Sequence, residues 1–143
     1  MQIDMELAVP VDYFFNQLIE SALYDIQTCT GRNISALRLN NFHYRKTMPN
    51  GQMAHFRINI CLPAKNYGYR MRTGRNEYTV LYQLTDCGDG RTALHYEETI
   101  QAVNQRVEAN NRASGFLLGW LRKRRFKKMS RAIESQYLSA AEI

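Results

Sequence analysis

Between Ser35 and Val103 the apolar residues recur at every second position in five successive stretches. This alternation predicts strands at about 36–47, 53–62, 67–73, 77–85 and 92–101. The separators are short and rich in turn formers: Pro49-Asn50-Gly51, Pro63 to Asn66, Gly74-Arg75-Asn76 and Cys87-Gly88-Asp89-Gly90. Parallel neighbours need crossovers of a dozen or more residues. Connections this short therefore restrict the segment to an antiparallel meander.

The flanks complete the pattern. Residues 2–9 alternate, with Ile3, Met5, Leu7 and Val9 on one face and Asp4 and Glu6 on the other, as in a half-buried strand. Pro10 suits the first turn of a helix, and Asp12 complements its positive end. Phe14, Phe15, Leu18, Ile19, Ala22, Leu23 and Ile26 recur in steps of three and four, which predicts an amphipathic helix from Val11 to about Thr28. Ser21 is a candidate cap for a second short helix, and Gly31 is a suitable stop. From Asn110 to Ala141 only Gly115 and Gly119 weaken a long helix. Leu118, Met129, Ile133 and Tyr137, with Phe126 beside them, form its apolar stripe. The predicted class is α+β, a curved antiparallel sheet of about six strands whose apolar face the last helix covers.

The 143 residues suit one domain, 1–143. At 45% hydrophobic and 22% charged the composition is that of a globular protein. No apolar run reaches the roughly 20 residues of a membrane span. Asp4 and Glu6 interrupt any signal-peptide pattern. Cys29, Cys61 and Cys87 are odd in number and widely spaced, which predicts free thiols and a cytoplasmic setting. His43, His55 and His95 fall on the polar parity of their strands, and no metal-ligand spacing occurs. Neither a nucleophile elbow nor a phosphate loop is present, so no metal, cofactor or catalytic residue is assigned.

The apolar parity of the strands carries Phe42, Tyr44 and Lys46; Phe56, Ile58 and Ile60; Tyr67, Tyr69 and Met71; Tyr78, Val80, Tyr82 and Leu84; and Leu94, Tyr96, Glu98 and Ile100. Six of the nine tyrosines thus turn to one concavity. A buried tyrosine hydroxyl needs a partner, so tyrosines suit a ligand pocket better than a dry core. The alternative is an ordinary core with hydroxyls at its rim. Lys46 and Glu98 lie on the same parity. They pair with each other, anchor a ligand, or extend past the core edge into water.

Seven of the ten residues Arg122–Arg131 are basic, while the rest of the chain holds 12 basic and 13 acidic residues. The net charge of +6 is therefore one local feature. Lys123, Arg124, Lys127, Lys128 and Arg131 spread away from the Met129 and Ile133 stripe. A solvated face is the simplest reading. Nucleic acid is disfavoured, because no aromatics interleave the basic residues. Phe116, Leu117 and Trp120 lie on a different side and need another cover: the sheet, a second subunit or lipid headgroups. Trp120, Arg124, Lys127 and Lys128 are accordingly the candidate partner-binding residues, with self-association favoured.

The order of elements, and the opening from Ile3 through Pro10 to Phe14-Phe15, resemble the START-like, or Bet v 1-like, helix-grip superfamily. More narrowly, Tyr44-Arg45-Lys46, Leu94-His95-Tyr96-Glu97-Glu98 and Phe126-Lys127-Lys128-Met129 resemble a small family of Gram-positive bacteria with no assigned function. Asn40-Asn41 stands where the resemblance places a glycine. The resemblance implies a mainly apolar small molecule or lipid held between sheet and last helix. Its expected contacts are Tyr44, Lys46, Phe56, Ile58, Tyr69, Tyr78, Tyr82, Tyr96, Glu98, Met129 and Ile133. A cyclase- or hydrolase-like enzyme and an interaction protein are the alternatives.

Overall fold

The computed structural model describes the backbone of residues 1–141 and the side chains of 1–106 and 119–141. Strand β1 (Gln2–Leu7) leads into helix α1 (Val11–Thr30). Strands β2 (His43–Thr47), β3 (Met53–Leu62), β4 (Asn66–Arg72), β5 (Asn76–Gly88) and β6 (Arg91–Ala102) follow, then helix α2 (Gln105–Ala141). The sheet runs β1-β6-β5-β4-β3-β2, antiparallel throughout. This is the α+β architecture that the alternation predicts, in the helix-grip arrangement that the resemblance implies.

Three local details depart from the sequence reading. Helix α1 is continuous through Ser21, and it ends where Gly31 takes the left-handed conformation (φ 73°) and donates to the Gln27 carbonyl. The stretch predicted as the start of a strand, 36–42, instead forms a tight helical turn over Ala36–Arg38. That turn buries Leu39 and exposes Leu37. Asn41 then takes φ 65°, a conformation asparagine tolerates, so it fills the place of the expected glycine. Third, a bulge between Ile58 and Ile60 reverses the faces of β3. Ile60 turns outward and Cys61 turns inward, opposite Tyr67, reversing the expected parity at both positions.

The inner face is laid out in rows by the register. Tyr44 faces Phe56, then Met71 and Tyr78. Ile58 faces Tyr69, then Val80 and Glu98. Cys61 faces Tyr67, Tyr82, Tyr96 and Ile3 in turn. Helix α1 packs Phe14, Phe15, Leu18, Ile19, Ala22 and Ile26 onto this face. Helix α2 lies over the β1–β6 side rather than across the middle of the sheet. It is pinned where Glu134 accepts the Ala8 N–H (2.7 Å), Arg131 donates to the Glu6 carbonyl (3.2 Å) and Tyr137 meets Tyr13 (4.8 Å). Among the described residues no helix is long and apolar enough to cross a membrane.

Candidate functional site

A cavity of about 540 Å³ opens between α1, the β2–β5 part of the inner face and α2. Its aromatic wall comes from Tyr44, Phe56, Tyr67, Tyr69 and Tyr82, with Ile58 at its base. Met129 and Ile133 close the α2 side. Ligand pockets fall in the range of about 300–1,000 Å³, so the space suits a small molecule. The rings form one connected run. Tyr44 stacks on Phe56 at 5.1 Å, Phe56 meets Tyr69 at 5.8 Å, Tyr69 meets Tyr67 at 6.1 Å and Tyr67 meets Tyr82 at 5.9 Å.

The polar part of the cavity is built around Asp25 on α1. One carboxylate oxygen accepts the Lys46 ammonium and the other accepts the Tyr44 hydroxyl, both at 2.6 Å. Burial, helped by the Asp25 carboxylate, holds the Tyr44 hydroxyl far above the ordinary tyrosine range. Burial likewise raises Tyr67, Tyr69 and Tyr82, so all four stay protonated and able to donate. The Tyr67, Tyr69 and Tyr82 hydroxyls bond no protein atom among the described residues, and none is sealed from solvent. The cavity therefore offers three neutral hydroxyls on an aromatic wall and one neutralised ion pair at its edge.

Not every expected residue joins this chamber. Lys46 and Glu98 do not pair: Lys46 is taken by Asp25, while Glu98 forms an ion pair with Arg122 and accepts the Tyr96 hydroxyl at 2.9 Å. The side chain of Glu98 is only 12% exposed, so the Arg122 charge compensates a nearly buried carboxylate. Tyr96 is covered by Phe126, whose ring centroid lies 4.1 Å away, and it contributes packing rather than cavity wall. Tyr78 shares the inner face but lies at the far end, in a separate surface depression with Met71, Asn76 and Met48. The six tyrosines thus divide into a cavity group of four, one beneath α2 and one beyond. Met129 lines the cavity yet is 42% exposed, because it sits at the opening.

The sequence pattern does not single out Asp25. Its helical position between Ala22 and Ile26 marks it only as polar, and its link to β2 is a tertiary contact 21 residues away. Arg122 likewise leaves the basic run to serve the interior. Lys123, Arg124, Arg125, Lys127 and Lys128 remain exposed, and the Arg124 guanidinium lies 5.6 Å from the Trp120 ring centroid. The Phe116, Leu117 and Leu118 side chains fall outside the described residues.

The antiparallel sheet and the long C-terminal helix it grips define a helix-grip fold. Residues 1–119 match the model of DUF3284, a domain of unknown function, and the chain belongs to that family. No curated protein matches it. Among solved structures the chain is similar to Ara h 8.0201, with TM-score 0.60, 13% identity and 97% of each chain covered. A conserved protein of Geobacillus kaustophilus gives 0.56 at 17% identity, over 92% of this chain and 93% of that one. DynU16, from the dynemicin biosynthetic locus, gives 0.54 at 15% identity. The match covers 99% of this chain but 47% of DynU16, so the chain spans about half of that protein's length. At these identities the likeness concerns the fold alone.

Proposed function

We propose that this protein, read as one bacterial, cytoplasmic START-like domain, binds a mainly apolar small molecule or lipid in the cavity between α1, the sheet and α2. The observation that carries the reading is the connected aromatic wall around about 540 Å³ of accessible space. The ligand's apolar body lies against Phe56, Ile58 and Met129, and its polar atoms meet the free tyrosine hydroxyls. Asp25, Lys46 and Tyr44 serve as the polar anchor. Glu98 has no such role, since Arg122 and Tyr96 occupy it outside the cavity lining. The same displacement weakens a hydrolase- or cyclase-like reading, because Asp25 is already bonded by two donors and is not free to act as a base. Native mass spectrometry of the purified protein, with solvent extraction of what co-purifies, tests the proposal. A retained apolar compound lost in Ile58→Trp, which fills the cavity, supports it. Absence of any retained or added apolar ligand refutes it.

A second reading concerns self-association. Trp120 is 56% exposed on α2 beside Arg124, the combination a contact with a second copy would cover. A mass from light scattering that stays monomeric at high concentration removes this reading.

A further inference from the structure

The outer face of the sheet concentrates positive charge in two neighbouring rungs. In one, His43 stands opposite Arg57, and Arg57 opposite Arg70. In the other, Arg45 stands opposite His55, His55 opposite Arg72, and Arg72 opposite Glu77. All six basic side chains are exposed, and together with Glu77 they line a concavity of about 550 Å³. Arg70 and Arg72 both lean on Glu77, at 3.9 and 3.5 Å. Arg45 and Arg57 form no ion pair among the described residues. Four guanidinium groups against one carboxylate leave a local excess of positive charge.

This grouping works against the fold. Like charges directly opposite in an antiparallel pair are destabilising. The Arg57–Arg70 rung is such a pair, and no acidic residue follows it on β5, where Thr79 is the neighbour. Cross-strand neighbours lie about 5 Å apart and alternate residues of one strand about 7 Å apart, so the arginines fit a patch about 10 Å across. A guanidinium presents a planar fork of donors that matches phosphate oxygens.

We infer that this outer-face concavity binds a compact soluble ligand carrying two or more linked phosphate groups. A nucleic-acid strand fits less well. It needs a long basic track and aromatic platforms for its bases. Here Tyr44 and Phe56, which alternate with the arginines, turn their rings to the inner face. The basic run of α2 lies on that inner side too.

The test is titration calorimetry of the whole chain with sodium tripolyphosphate, with inorganic phosphate and a fifteen-nucleotide single strand in parallel. Tripolyphosphate is expected to bind at low salt and to weaken roughly tenfold between 50 and 200 mM salt, as screening of exposed charges requires. Arg57→Gln/Arg70→Gln should lose at least tenfold in affinity while melting at the same or a higher temperature. Lys127→Gln/Lys128→Gln should bind as the unaltered protein does. Arg45→Gln, on the outermost strand, gives an independent reading should the double variant fold poorly. No binding at 50 mM salt, unchanged affinity in the arginine variants, or tighter binding of the oligonucleotide than of tripolyphosphate would each overturn the inference.

Discussion

Asp25 and Lys46 meet at 2.6 Å, joining α1 to the outermost strand β2 at the edge of the cavity. The pair is partly shielded, with side chains 27% and 32% exposed. It is worth more than a surface ion pair because Tyr44 shares the same carboxylate.

Asp25→Ala strands the Lys46 ammonium and the Tyr44 hydroxyl in a half-buried site. The expected loss is about 1–2 kcal/mol in urea unfolding. The double change Asp25→Leu/Lys46→Met removes both charges and should recover most of it. Equal losses in the two variants would show that leaving the Lys46 ammonium unpaired carries no penalty of its own.

Among the described residues of α2, Phe126 is the buried aromatic side chain that packs on the sheet. Its ring lies 4.1 Å from Tyr96 and 5.9 Å from Tyr82, centroid to centroid. Phe126→Ala should cost about 3 kcal/mol, the usual penalty for emptying a buried aromatic position. Hydrogen exchange would show the effect first in the 119–141 part of α2. A loss under about 1 kcal/mol would mean that the Glu134 and Arg131 contacts to the β1–α1 junction suffice.

Gly68 permits the close approach of β3 and β5 to β4. A Cβ there would stand 2.9 Å from Ile60 Cγ2 and 2.9 Å from the Val80 carbonyl oxygen. The side chain can shift, but the backbone oxygen cannot do so without breaking the ladder. Gly68→Ala should therefore destabilise by about 1–3 kcal/mol, measured as a lower denaturation midpoint.

His95 should titrate above the ordinary imidazole value of 6.5. Its ring bonds Glu97 at 2.9 Å and Asp4 at 2.6 Å, and both carboxylates favour the protonated form, Glu97 the more. The folded value is raised above the unfolded one. The stabilisation is therefore full below pH 6.5 while the carboxylates stay ionised, and it fades as pH climbs through the folded value. Ring-proton NMR titrations of the protein and of Glu97→Gln check this. A His95 value at or below 6.5, or no fall in the variant, contradicts it.

Much of the fold was legible because two strong periodicities carry it. The alternation of β3 to β6 and the three-four spacing of α1 each follow from burial on one face, and both elements form where expected. Legibility fails where one residue changes the count. The bulge after Ile58 has no marker in the sequence, so Cys61 and Ile60 exchange faces unseen. The 36–42 stretch carries apolar residues that read as a strand, yet the left-handed Asn41 lets Leu39 reach the core from a turn. For the cavity, Tyr44, Phe56, Ile58, Tyr69 and Tyr82 follow from parity alone. Asp25 does not, because partner choice between a helix and a strand depends on where α1 lands. Tyr96 and Tyr78 show the complementary limit: a shared face does not make a shared chamber, since α2 covers one side of the sheet only.

The sheet is open rather than closed into a barrel, and that leaves two outermost strands, β1 and β2, with one unpaired side each. Such borders are templates on which another chain can add a strand and begin to aggregate. Here both are short and both carry charged residues, Asp4 and Glu6 on β1 and Arg45 and Lys46 on β2. The hydrogen-bonded link from Lys46 to α1 also ties the β2 border to the body of the protein. Loosening that tie therefore threatens solubility as well as any ligand, and at high concentration precipitation should precede global unfolding.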